Sequence, residues 1–172
     1  MDESFNFVIK KLIVNEGGYT DGKNQVKDMP TNMGIQQSTL DFYNKLKPGK
    51  NFPKDVKNLQ LNQAIEIYKD LYWDNTKIPE IRNTRLKFAI FDMNVMGGAG
   101  FVLQKSLNAY LDSKLVVDGV IGSMTIDAVN SISDDHVDDF MKVLKFVRIE
   151  YLKNTPNWPT ACNGWLRRTC AY

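Results

Sequence analysis

A mainly α chain, broken once by a small irregular β-hairpin after its first helix, is the fold class this sequence predicts. Two observations carry that reading. Apolar residues recur at helical spacing along most of the 172 residues, and a stretch dense in Gly, Asp, Asn and Pro separates the first helical pattern from the second.

The first helix is read from Phe5, Val8, Ile9, Leu12 and Ile13, and Glu16 continues the same stripe. An ionisable group is therefore turned toward the core side. Poor hydration and the negative end of the helix dipole both disfavour its charged form, which suits a general acid. Read alone, Glu-Gly-Gly is equally a surface helix end, with Gly17-Gly18 as its C-cap. After it, Asp21-Gly22 and Met29-Pro30 through Gly34 read as turns of the hairpin.

Helical periodicity returns from Thr39 to Leu46, and the Lys/Pro/Gly/Asn-rich stretch from Lys47 to Asn58 reads as exposed linker. Leu61 to Tyr72 is a further helix, capped by Asn62 or a residue just before it. Asn83 to Val95 is apolar at Leu86, Phe88, Ala89, Ile90, Phe91 and Val95, as a helix through the centre of the protein would be. Beyond Gly97-Gly98 a helix carries Leu103, Leu107, Tyr110 and Leu111; Asp118-Gly119 turns the chain, and Ser123 or Thr125 opens a helix with Ile126 and Val129 inward. The last long helix, Asp135 to Lys153, has Val137, Phe140, Met141, Leu144, Val147 and Tyr151 on one face. A boundary between two lobes is placed near Gly97.

Composition limits the classes of function. A chain of this length with 43% hydrophobic residues can bury one sizeable core or two small packed lobes. The net charge of +2 is far from a nucleic-acid footprint, so nucleic acid is not an expected partner. No apolar run reaches the length of a membrane span. Met1-Asp2-Glu3 does not open a signal peptide, so the sequence predicts a protein made in the cytoplasm, and a monomer. Metal-ligand spacing is absent and no cofactor is expected. The single histidine, His136, lies in the acidic run Asp134-Asp135-His136-Val137-Asp138-Asp139, which reads as a helix start, and one histidine builds no serine or cysteine triad. Cys162 and Cys170 either close a small loop in an oxidising compartment or remain free thiols.

A series of short motifs then runs in order along nearly the whole chain: Glu16-Gly17-Gly18-Tyr19, Thr31-Asn32-Met33-Gly34-Ile35, Ala64-Ile65-Glu66-Ile67-Tyr68, Tyr72-Trp73, Phe91-Asp92-Met93-Asn94-Val95, Leu103-Gln104, Asp118 to Thr125, and Gly164-Trp165-Leu166-Arg167-Arg168. In that succession the sequence resembles the glycoside hydrolase family 108 muramidases, which are lysozyme-like and have a peptidoglycan-binding C-terminal half. The resemblance implies a catalytic lobe over residues 1–96 and a helical, peptidoglycan-binding-like lobe over 97–172. It also implies hydrolysis of the β-1,4 bond between N-acetylmuramic acid and N-acetylglucosamine. Glycan strands of the cell wall would be the partner, reached by holin-mediated release or a dedicated exporter.

Such a reaction needs a protonated acid at the leaving oxygen and a second group that stabilises the oxocarbenium-like transition state or activates water. Glu16 is the acid. For the second role Asp28 and Thr31 stand ahead of Asp21, which reads as a turn residue, and Thr31 with Asn32 could hold a water instead. Sugar faces call for aromatic rings and a few amides or carboxylates, which makes Tyr19, Asn32, Tyr72, Trp73, Asp92 and Asn94 the binding candidates. Asp92 is equally placed to pair with Arg168, and each aromatic equally to be core. Two further readings remain open: a lytic transglycosylase acting on the same bond, and a wall-binding module without turnover.

Overall fold

The computed structural model describes residues 3–23 and 29–172. Among them the elements run α1 (Glu3–Glu16), β1 (Thr31–Asn32), β2 (Ile35–Gln36), α2 (Gln37–Leu46), α3 (Leu61–Tyr68), α4 (Thr84–Met96), α5 (Ala99–Leu111), α6 (Ser123–Asn130), α7 (Val137–Lys153) and α8 (Trp158–Cys170). The fold is mainly α with one two-stranded antiparallel hairpin after the first helix, as the sequence predicts. No helix among the described residues is long and apolar enough to cross a membrane. By compactness the chain divides into two units, Met1–Leu71 and Tyr72–Tyr172, so α4 groups with the helices that follow Gly97.

In the first unit, Phe5, Val8, Ile9 and Leu12 of α1 are buried at helical spacing, and Glu16 sits half-buried at the end of that stripe. The hairpin closes through Met33 and Gly34, with φ of 49° and 75°. Left-handed backbone at both central positions belongs to a tight turn whose twist matches the strands it joins. Thr31 faces Gln36 in β2 and also bridges to Thr20, whose N–H donates to the Thr31 carbonyl at 2.8 Å.

Asn32 fastens this hairpin to the segment before α3. Its side chain is buried, and Nδ2 donates to the carbonyls of Val56, Lys57 and Leu59 at 3.0, 3.3 and 3.3 Å. The segment read as exposed linker is therefore packed. Val56 is fully buried in a 3-10 turn, and the Phe52 ring stacks on Tyr43 of α2 at 5.1 Å. Gln37 accepts from the Val56 N–H and donates to the Lys54 carbonyl. Asn32→Ala is expected to lower the stability of this unit by about 1–3 kcal/mol, because buried carbonyls lose their donor; urea unfolding measures it.

In the second unit α4 is buried on most of its faces, with Leu86, Phe88, Ala89, Ile90, Phe91 and Met93 inside. Asn83 caps it, accepting from the N–H groups of Arg85 and Leu86. It packs on α5, α5 on α7, and α7 on α8. Gly98, at φ 84°, reverses the chain between α4 and α5, and a Cβ there would run into the Tyr151 ring. Gln104 organises the turn before α6: Nε2 donates to Asp118 and to the Val120 carbonyl, while Oε1 accepts from the Gly119 N–H. The segment Asp118 to Thr125 is thus a clamped turn and a helix start at Ser123.

One expectation is corrected here, and one open alternative is decided. The last helix is α8, not α7: Trp158 to Cys170 is helical, with Pro159 in its first turn, where a missing N–H costs nothing. The two cysteines both lie on α8, more than two turns apart and both free. At 1.5 Å of rise per residue their backbones are about 12 Å apart, beyond the reach of a disulfide. Of the two alternatives the sequence left open, the structure has two free thiols.

Candidate active site

The site candidates divide between the two units. In the first, α1 delivers the Glu16 carboxyl to the turn of the hairpin. Gly34 marks the contact: a Cβ built there would collide with Oε2 of Glu16 and with the Tyr68 hydroxyl. Only a residue without a side chain lets the turn pass so close, and its φ of 75° favours glycine for a second reason. Tyr68, from α3, is fully buried, and its hydroxyl donates to the Met33 carbonyl at 2.9 Å. Three segments distant in sequence thus meet around one carboxyl: the end of α1, the hairpin turn and the last residue of α3.

Gly34→Ala is expected to push the carboxyl out of this seat and to cut any activity that depends on it by about a hundredfold, the scale of a 1 Å misplacement. A turnover assay on the purified variant reads this.

Of the other candidates in this unit, Thr31 is half-buried and paired on both strand edges, next to the turn that touches Glu16. Tyr19 is 43% exposed, with Lys57 Nζ 5.7 Å from its ring centroid. Asn32 is the buried clamp already described, so its amide N–H groups are taken up within the protein. Asp21 behaves as the turn residue it was read to be, accepting from the Lys23 N–H at 3.1 Å. Asp28 lies outside the described residues.

In the second unit, Tyr72 and Asn94 are both half-buried, and Asn94 Nδ2 donates to the Tyr72 carbonyl at 3.3 Å. Trp73 is buried and packs edge-on to Phe91 at 5.5 Å. Asp92 has no exposed surface. Both its oxygens accept from Arg168, by Nε at 3.0 and 2.9 Å and by Nη2 at 2.7 Å, and Oδ2 also accepts from the Tyr172 hydroxyl at 2.6 Å. Burial and then the Asp92 charge hold the Tyr172 phenol far above its ordinary value. Trp73 and Asp92 are taken into the packing of this unit, and Asp92 adopts the pairing with Arg168 that the sequence left open.

Nearby, Arg148 is also fully buried. It donates one hydrogen bond, to the Gly97 carbonyl at 2.7 Å, and lies 5.6 Å from the Tyr151 ring; burial pulls it below the usual arginine value. His136 is exposed in the 3-10 turn before α7, 3.0 Å from the Ser133 hydroxyl.

Sequence reasoning missed Tyr68 and Gly34 as members of the site. Both lie inside quoted motifs, Ile67-Tyr68 and Met33-Gly34, but neither carries a group that stands out on a helical or turn pattern.

A half-buried carboxyl at a helix end, seated on a tight hairpin in a mainly α protein, is the arrangement of lysozyme-like glycosidases. Comparison with known families narrows this: the model of the glycosyl hydrolase 108 family matches residues 9–98, just over half of the chain, and the protein belongs to that family. Membership carries the general role of a peptidoglycan-directed glycoside hydrolase. Among solved structures, SagA of Brucella abortus is similar at 26% identity and a TM-score of 0.78, over 99% of this chain and 92% of that one. No curated protein matches the chain.

Proposed function

We propose that the protein is an N-acetylmuramidase that hydrolyses the β-1,4 bond between N-acetylmuramic acid and N-acetylglucosamine, with Glu16 as general acid. The observation that carries this reading is the seat of the Glu16 carboxyl against the Met33-Gly34 turn, half-shielded from water. A carboxylic acid held there can give its proton to a glycosidic oxygen, and the same group can accept one from water in a later step. Thr31 stands beside that turn as a water-holding group, and Asp28 is the alternative second catalytic group. Tyr19 offers an exposed ring face to a sugar. Tyr72 and Asn94 are proposed as glycan contacts of the second unit.

The test is product analysis. Purified peptidoglycan is digested and the released muropeptides are weighed by mass spectrometry. Hydrolysis adds a water and leaves a reducing N-acetylmuramic acid end, which is the expected product. An anhydro end would assign the chain to the lytic transglycosylases instead. If the protein binds peptidoglycan and releases nothing, a wall-binding module is the correct description.

A further inference from the structure

The second unit buries a positive charge that its own residues leave unpaired. We propose that the Nε and Nη2 edge of Arg148 is a binding site for one small planar oxyanion of the carboxylate class, of which formate is the simplest member. This site lies within the second unit and does not depend on the muramidase reading, so turnover on peptidoglycan does not enter its test.

A guanidinium has five N–H groups, no acceptor and, in a protein, no neutral form to retreat to. Arg148 has no exposed surface, and its Nη1 donates to the Gly97 carbonyl at 2.7 Å. Its Nε and Nη2 are buried too, and have no hydrogen-bond partner among the described residues. Native proteins pair nearly all such groups, so each exception needs a cause. The Tyr151 ring, 5.6 Å from the guanidinium carbon, attracts the charge but gives those N–H bonds no lone pair.

The nearby acids are committed elsewhere. Both oxygens of Asp92 accept from Arg168, and one also accepts from the Tyr172 hydroxyl, at distances between 2.6 and 3.0 Å. Its charge reaches Arg148 only through space. Glu150, on the same helix, pairs with Lys153 at 2.9 Å. Two arginines therefore share one carboxylate in this part of the unit, and burial makes the unmatched positive charge costly.

Arg168 shows what the unmatched edge is shaped to hold. The same two nitrogens, Nε and Nη2, grip the Asp92 carboxylate there. Their N–H bonds form a fork that fits two oxygens of one planar anion. Full burial keeps that anion small. A groove of about 480 Å³ is walled by Tyr151, Val147 and Lys105 among others, so solvent reaches the ring that stands against Arg148. Lys105 is exposed and adds a positive charge that favours an anion's approach.

The test is a melting curve of the native protein, first dialysed into the sodium salt of a bulky sulfonate that a buried site excludes. Sodium formate then replaces the sulfonate at constant ionic strength. A ligand held only by the folded chain stabilises it, so the melting temperature is expected to rise by about 5 °C or more at a hundredfold excess over Kd. Arg148→Met, which removes the charge and keeps a long side chain, should abolish the rise, and Arg148→Lys, which keeps the charge and loses the fork, should weaken it. No rise with formate, or a rise undiminished in either variant, overturns the proposal. Chloride that matches formate in the native protein overturns the planar class. Should neither variant fold, a crystal of the native protein grown in formate decides. Planar density joining Nε and Nη2 at about 2.7–2.9 Å is expected, and separate water peaks, or none, refute the site.

Discussion

Glu16→Gln is expected to lose about a thousandfold of the turnover on purified peptidoglycan while folding as the native protein does. The size follows from the chemistry: a positioned acid contributes about 10²–10⁴-fold, and the amide cannot release a proton to a leaving oxygen. The fold should survive because glutamine has nearly the shape and volume of glutamic acid. Gly34 leaves room for it as it does for the native side chain. Reducing-end release gives the rate, and circular dichroism with a melting curve gives the folding control. Equal activity in the two proteins would remove Glu16 from the mechanism, whatever the products.

The second large effect is structural. Asp92→Ala is expected to destabilise the second unit by about 3–5 kcal/mol, the usual cost of removing one member of a buried ion pair. Asp92 has no exposed surface and answers three groups at once: the Nε and Nη2 of Arg168 and the hydroxyl of Tyr172. Its removal takes the Asp92 carboxylate from the Arg168 guanidinium, of which only 14% of the side chain reaches solvent. It also strands a phenol hydroxyl against Phe88, whose ring lies 6.2 Å away edge-on. Fully buried Arg148 also feels the Asp92 charge, so that loss is felt at a second arginine of the same unit. Urea unfolding followed by tryptophan fluorescence measures the change. A loss below about 1 kcal/mol would mean that the pair is weakly coupled to folding.

What the sequence made legible is what periodicity and turn chemistry encode. The α1 stripe of Phe5, Val8, Ile9 and Leu12 places Glu16 correctly on the inner side of the helix end, because a 3.6-residue repeat needs no tertiary information. The apolar run of α4 marks the helix buried on most faces, and Met33-Gly34 marks the turn. Other features depended on contacts far apart in the chain. Asn32 reads equally as a cleft amide or a clamp, and only the carbonyls of Val56, Lys57 and Leu59 decide between them. The segment from Lys47 to Asn58 has the composition of a linker, yet Phe52 and Val56 find Tyr43 and the core. α8 lacks an apolar stripe to announce it, since Thr169 is its one fully buried residue, and Pro159 and Gly164 interrupt the pattern. Tyr68 stood in the sequence only as the last residue of a motif, and its hydroxyl's place at the Met33 carbonyl depends on the hairpin.

The placement of both sulfur atoms along α8 has a practical consequence. With no cross-link to reduce, dithiothreitol should leave the melting temperature unchanged, and the chain should refold from denaturant without an oxidant. Cys170 is exposed beside the buried C-terminal Tyr172, so a maleimide dye attached there would report, by its anisotropy, the moment that end of the chain lets go.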